Sequence, residues 1–285
     1  MTTRRRALLY GLGAAAARLA AAPRTGMGIA TTSYMTVWRP KDTLEFLEHC
    51  HTLGAGGIQA ALASTEAAYL KQLRRRLDET GMYLEVMIGL PRAGAEMFER
   101  TVAAAKEAGA ICVRAACLGG RRYETFGTLT DWQRFVTDSR DAVSRALSIV
   151  EKHKLPLALE NHKDWTADEM AALIRDKSSE YLGVCLDLGN NMALLDDAME
   201  LVEKLAPYAI STHIKDMDVE PYEDGFLLSE VPLGEGMLDL KRMIALIRKH
   251  HPKTKMSLEM ITRDPLKIPC LTDKFWATFP DRGGR

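Results

Sequence analysis

"LPLALENHKDW" (155–165) opens as a buried strand and closes as something else. Leu155, Leu157, Ala158 and Leu159 form a short apolar run around Pro156, of the kind shown by parallel strands covered on both faces. The run then breaks into Glu160, Asn161, His162, Lys163 and Asp164. A carboxylate at the end of such a strand is costly to bury unless a partner meets it. Three later runs repeat the pattern: "YLGVCLDL" (181–188) carries Asp187, "AISTHIK" (209–215) carries His213, and "KMSLEMI" (255–261) carries Glu259.

Four earlier runs, "MGIATTSY" (27–34), "GGIQAAL" (56–62), "MYLEVMIGL" (82–90) and "ICVRAACL" (111–118), complete a set of eight. Between them lie amphipathic segments with helical spacing, such as "EAAYLKQLRRRLDETG" and "DWQRFVTDSRDAVSRALSIVEKHK". Asp42 and Thr166 read as N-caps, and Gly81 and Gly109 as C-terminal glycines. Strands and helices alternating in this way predict an α/β fold, a (β/α)8 TIM barrel over residues 27–262. A doubly wound sheet is the alternative, but no Gly-rich fingerprint follows the first strand. The segment 216–236 is acidic and Pro/Gly-punctuated, with a hairpin signal at "EDG", and is placed to cover the barrel mouth. Residues 263–285 hold two early prolines and no clear final helix. They read as an irregular tail, so the eighth helix is expected to be incomplete or replaced, or the barrel truncated.

Of the 285 residues, 47% are hydrophobic and 27% charged, and 38 basic side chains balance 38 acidic ones. That composition suits one large globular domain or two small ones and gives no sign of a nucleic-acid or membrane-surface binder. The five cysteines lack metal-knuckle spacing and mostly read as core residues. Nor is there a Lys/Arg cluster suited to a phosphate. The N-terminus differs from the rest. Arg4, Arg5 and Arg6 precede a Gly/Ala/Leu stretch ending at Ala20–Ala22, so residues 1–22 read as a twin-arginine-type export signal. That reading expects the twin-arginine machinery as a partner and a periplasmic or extracellular location. An Ala-rich helix or tail is the competing reading, with a cytoplasmic location. The stretch is too short, and too interrupted by Arg18, to span a bilayer. The chain is compatible with a homo-oligomer.

Glu160, Asp187, His213 and Glu259 fall on four successive predicted strands near their C-terminal ends, where a barrel of this type carries its chemistry. Each is flanked by apolar residues, and a shared divalent cation is the simplest way to compensate all four. Three carboxylates and one imidazole favour Mn²⁺, Mg²⁺ or Co²⁺, with Zn²⁺ also compatible. The competing reading pairs them with Arg and Lys from loops.

"LENH", "CLDLGN", "THIKD" and "SLEM" resemble the metal-site motifs of the sugar phosphate isomerase/epimerase family, whose members have a xylose-isomerase-like TIM barrel. The resemblance runs from about residue 27 to residue 262 and implies a metal-dependent enzyme acting on a small carbohydrate. It implies that Glu160, Asp187, His213 and Glu259 ligate the metal, and that Glu160 and Glu259 also move the proton. The chemistry agrees: a metal polarises the carbonyl and hydroxyl oxygens of a keto-sugar, stabilising a cis-enediolate, while two carboxylates serve as base and acid. Twin-arginine export, which carries folded proteins, suits an enzyme loaded with metal before it leaves the cytoplasm.

The sequence departs from the ketose-epimerase pattern at Asn190, where a histidine is common, and at Val219, where an arginine is common. His162 is a candidate catalytic acid/base near neutral pH. Lys215, Asn190, Lys163 and Arg114 are candidates for substrate binding, with Gln59, Glu85, Trp38 and Trp165 as further ones. The expected function is therefore a metal-dependent isomerase or epimerase of a small sugar or keto-sugar. A lyase or dehydratase that enolises a keto-sugar or 3-keto-glycoside and then expels a β-substituent is the alternative. A nuclease of the same fold is disfavoured because the chain without residues 1–22 is acidic and extra His/Glu ligands for a multi-metal cluster are not apparent, and a non-catalytic sugar-binding barrel by retention of all four ligands.

Overall fold

A computed structural model describes residues 25–279, so the expected export signal at 1–22 lies outside the described residues. Seven parallel strands run in chain order: β1 (Met27–Ala30), β2 (Gly57–Ala60), β3 (Tyr83–Met87), β4 (Cys112–Ala116), β5 (Leu157–Glu160), β6 (Leu182–Asp187) and β7 (Ala209–Ile214). The chain then leaves the barrel as a hairpin, β8 (Asp216–Tyr222) and β9 (Gly225–Val231), and returns as β10 (Met256–Leu258). β10 pairs in parallel with both β7 and β1 and closes an eight-stranded barrel. Every expected apolar run holds one barrel strand, and β2, β5 and β6 are buried along their whole length. That two-sided burial is why their sequences are continuously apolar rather than alternating.

The helices are α1 (Thr43–Thr52), α2 (Ala67–Thr80), α3 (Glu96–Ala108), α4 (Arg122–Thr125), α5 (Leu129–His153), α6 (Ala167–Lys177), α7 (Ala198–Leu205) and α8 (Leu240–His250). Their boundary signals act as read. The Asp42 side chain accepts from Glu45 N at the start of α1, and Thr166 with Glu169 forms a reciprocal capping box at α6. Gly81 and Gly109 end α2 and α3 with φ of 69° and 85°, a left-handed conformation in which a side chain would be strained.

No long helix follows β10 among the described residues. The tail instead adds β11 (Leu266–Ile268) antiparallel to β9 and ends in a single turn, α9 (Asp273–Trp276). It is ordered by packing rather than by periodicity. Leu266, Ile268, Phe275 and Phe279 are buried in a cluster of their own with Tyr123 and Met217. The Arg122 guanidinium lies 3.7 Å from the Trp132 ring centre and 3.9 Å from that of Phe279, and its Nε donates to Thr278 Oγ1 at 3.0 Å. The tail is thereby fastened to the loop after β4, at the barrel mouth. No helix among the described residues is long and apolar enough to cross a membrane.

Candidate metal centre

Parallel register sets Asp187 of β6 beside His213 of β7, and His213 beside Ser257 of β10, two residues before Glu259. Glu160 ends β5 in the same layer, opposite Cys185. Ligand-type atoms of Glu160, Asp187, His213 and Glu259 all lie within 4.8 Å of one another, and all four residues are buried.

Each side chain is aimed by bonds on its outer side. Asp187 Oδ1 accepts from the backbone N–H of Gly189 (2.9 Å) and Asn190 (2.8 Å), which leaves Oδ2 facing His213 Nδ1 at 3.4 Å. Glu259 Oε1 accepts from Thr32 Oγ1 (2.7 Å), and its Oε2 lies 3.2 Å from Nδ1. Glu160 Oε1 accepts from Asn190 Nδ2 (3.1 Å) and lies 3.6 Å from Nδ1.

The imidazole is fixed from below. Gln59 Nε2 donates to Glu85 Oε2 at 2.9 Å, so its amide oxygen turns to His213 Nε2 at 2.8 Å. Glu85 Oε2 also accepts from Ser211 Oγ (2.8 Å) and Ser257 Oγ (3.3 Å). An amide oxygen cannot donate, so Nε2 carries the proton and Nδ1 is the nitrogen presented to the carboxylates. Nδ1 has no hydrogen-bond partner. A lone pair pointed at carboxylate oxygens is repulsive, and either a proton or a cation resolves it. Without a cation, burial opposes charge on His213, but Cys185, Glu259 and Asp187 outweigh it and raise its pKa well above the usual range. Three carboxylates and an imidazole nitrogen, convergent and buried, are a donor set that fits a divalent cation.

Above the cluster opens a cavity of about 440 Å³. Arg114 forms an ion pair with Glu160 Oε2. Lys215 Nζ lies 2.8 Å from both Asp187 Oδ2 and Glu259 Oε2. Burial alone would raise the Asp187 carboxyl, but Lys215 and His213 hold it at about 2. Burial of Glu259 is likewise outweighed by His213 and Lys215, which keep it well below the usual carboxylate range. Gly189 leaves room for this lysine: a Cβ there would come within 2.6 Å of Met217 Cγ and 3.1 Å of Lys215 Cδ. Lys163 donates to Asn190 Oδ1, and burial, with Lys215 nearby, lowers its pKa to about 8. His162 lines the cavity, and burial together with Lys163 and Arg114 lowers it to about 3, so it enters any reaction as a neutral imidazole.

The structure thus gathers Glu160, Asp187, His213, Glu259, His162, Lys215, Asn190, Lys163 and Arg114 around one cavity and its floor. The competing reading, cations paired with the carboxylates, also holds in part, although Arg114 comes from strand β4 and only Lys215 from a connection between strands. Of the further candidates, Gln59 and Glu85 lie beneath the cluster, where they orient it. Trp165 packs against Trp132 and Phe135, and Trp38 against Tyr34, Phe46 and His49. Thr32, Arg121, Glu230 and Arg263 also line the cavity and were not anticipated. Arg121 follows a Gly–Gly pair just beyond β4, a local signal; Glu230 and Arg263 come from the hairpin and the tail and share no pattern. The sequence shows no Lys/Arg cluster suited to a phosphate, yet the fold brings several cations to this cavity. Arg114, Arg121, Lys163, Lys215 and Arg263 line the same cavity but come from five separate stretches of chain.

The family model of the xylose isomerase-like TIM barrel matches residues 47–274. A curated relative, the 3-oxo-isoapionate decarboxylase of Pectobacterium atrosepticum, is 27% identical over 247 residues, covering 82% of this chain and 85% of its own. The 3-keto-D-glucoside 4-epimerase from E. coli superposes with a TM-score of 0.64 at 13% identity, over 86% of this chain and 95% of its own. A xylose isomerase-like TIM barrel protein from Mycobacterium smegmatis, solved in complex with magnesium, gives 0.58 at 18% identity, over 88% and 95%. Those two likenesses are of fold. With its closed barrel and the family match across most of its length, the chain belongs to the xylose isomerase-like TIM barrel family.

Proposed function

We propose that this chain is a divalent-metal-dependent enzyme that converts a small keto-sugar through an enediolate, epimerising or isomerising it. The observation that carries the reading is the convergence of three buried carboxylates on His213 Nδ1, a nitrogen with no hydrogen-bond partner of its own. A bound Mn²⁺, Mg²⁺ or Co²⁺, or Zn²⁺, would polarise the substrate's adjacent oxygens and stabilise the charge that develops there. Glu160, Asp187, His213 and Glu259 would hold it. Glu160 and Glu259, from strands three positions apart around the barrel, are the groups proposed to take and return the proton. Lys215, beside Glu259, would stabilise negative charge on a substrate oxygen. His162 supplies a neutral ring nitrogen at the cavity wall, and Arg114, Asn190 and Lys163 hold substrate oxygens. Residues 1–22 are proposed to export the folded protein through the twin-arginine route, which cell fractionation of Arg4/Arg5→Lys variants tests.

A second reading, the lyase, is favoured by one feature. A cation stands on each glutamate proposed as base: Arg114 on Glu160, and Lys215 on Glu259. Such pairing weakens proton abstraction from carbon, which epimerisation and β-elimination both need, yet it suits decarboxylation, in which the departing CO₂ leaves its electron pair on the carbon that becomes part of the enediolate. The decarboxylase relative breaks a bond of that kind.

Incubation of the Mn²⁺-loaded protein in D₂O with ketoses and 3-keto-glycosides, followed by NMR, separates the readings. Deuterium at one carbon with both epimers or isomers present, abolished in Glu259→Gln, supports the first. Metal-dependent loss of a substituent or of CO₂ supports the second. Turnover that persists after chelation of the metal would sink both.

A further inference from the structure

The cations around the cavity are not equivalent. Arg114 meets Glu160, Arg121 meets Glu124 at 2.6 Å, Lys215 meets Asp187 and Glu259, and Arg263 meets Glu230 at 3.0 Å. Lys163 pairs with no carboxylate among the described residues. Its Nζ donates to the amide oxygen of Asn190, a neutral acceptor, and the residue is only 4% exposed. The Asn190 amide cannot turn to offer more, because its Nδ2 is engaged by Glu160 Oε1 at 3.1 Å. An ammonium carries three donors, and burying one without a counter-anion is among the costlier things a chain can do. Beside it, His162 lines the same space, and its buried Nδ1 has no hydrogen-bond partner.

We infer that Lys163 is the seat of a substrate carboxylate, and that the substrate is a keto-sugar acid rather than a neutral keto-sugar. This rests on the enzymatic reading above and narrows it. A second observation points the same way. Glu160, Asp187 and Glu259 are already faced by Arg114 and Lys215, so a divalent cation among them leaves the cavity with surplus positive charge. A neutral sugar would leave that surplus uncompensated; a carboxylate offsets it at the cavity ammonium that has no carboxylate partner among the described residues. A phosphate shares the anionic chemistry, but one ammonium offers few donors to its three oxygens, which makes the carboxylate the better match.

Isothermal titration of the full chain tests this, with Mn²⁺ uptake measured first and then 5-keto-D-gluconate, D-fructose and D-fructose 6-phosphate as probes. The keto-acid is expected to bind at least about tenfold more tightly than either other probe. Lys163→Met and Lys163→Gln should lower keto-acid affinity about 10- to 100-fold, at least about tenfold more than they lower D-fructose affinity, with Mn²⁺ affinity within about threefold. Preference of the wild type for D-fructose or the phosphate ester overturns the inference. So does failure of the Mn²⁺-loaded protein to bind the keto-acid, or an equal loss for all probes in the variants. A control needs neither metal nor sugar. In chelator-treated protein at pH 7, Lys163→Met should raise Tm, because it removes an uncompensated buried charge; a lower Tm would make Lys163 a structural tether and overturn the inference. Failure to take up Mn²⁺ overturns the metal reading alone, and the Tm comparison still judges Lys163.

Discussion

Two polar layers lie one above the other inside the barrel, and they solve the same problem differently. The lower layer gathers Gln59, Glu85, Ser211 and Ser257, all fully buried. Donors there meet acceptors: one Glu85 oxygen accepts from Gln59, Ser211 and Ser257, and Tyr83 Oη joins Ser257 Oγ at 3.1 Å. Only Glu85 Oε1 is left over. The upper layer gathers Glu160, Asp187, His213 and Glu259, and there acceptors meet acceptors. His213 belongs to both, its Nε2 bonded downward and its Nδ1 facing upward without a partner. Satisfied burial makes structure, and unsatisfied burial at a cavity floor marks where something else must bind.

The largest test of this contrast removes a ligand from the upper layer. Asp187→Asn should lower Mn²⁺ affinity by more than the roughly 100-fold upper bound for outer hydrogen-bond partners, and should abolish turnover. Titration calorimetry reads the first and the D₂O assay the second. Next comes the link between layers. Gln59→Leu deletes the acceptor that holds His213 Nε2–H, and should cost about 10- to 100-fold in Mn²⁺ affinity without loss of the circular-dichroism signature of the fold. Unchanged affinity would mean that the lower layer is packing alone.

A smaller effect follows from the proton that competes with the metal. The folded-state pKa of His213 lies well above its unfolded value, so the cation-free protein holds this proton at neutral pH. Its contribution to stability is complete below the unfolded pKa and disappears as pH rises through the raised one. Mn²⁺ must displace the proton, so binding should release about one proton and tighten about tenfold per pH unit up to that raised pKa. Calorimetry in buffers of differing ionisation enthalpy counts the proton; release of none would place Nδ1 outside the ligand set.

Much of this was legible before folding was considered, and the reason is local. Barrel strands covered on both faces must be apolar throughout, so an ionisable residue at the end of one stands out, as Glu160 does after "LPLAL" and His213 does within "AISTHIK". Gln59 and Glu85 also stood out as interruptions, but orienting the cluster depends on contacts across the barrel that no spacing encodes. Arg121 and Arg263 were missed because they are distant in sequence and reach the cavity only through the fold. The tail was read as irregular for a related reason. Pro265 and Pro269 break its periodicity, while its order comes from Arg122 held between Trp132 and Phe279, a tertiary contact.

The smallest effect sharpens the division between layers. Ser257 is opposite His213 in register, yet its hydroxyl points into the lower layer, 3.3 Å from Glu85 Oε2. Ser257→Ala removes one of three donors to that oxygen and leaves His213 bonded to Gln59. It should cost about 1–2 kcal/mol of unfolding free energy, because the hydroxyl also meets Tyr83 Oη, with Mn²⁺ affinity unchanged within about twofold. Urea denaturation and metal titration of the same preparation decide it. A large loss of affinity would show that Glu85, and not Gln59 alone, transmits position to the metal ligands, and the two layers would then be one unit.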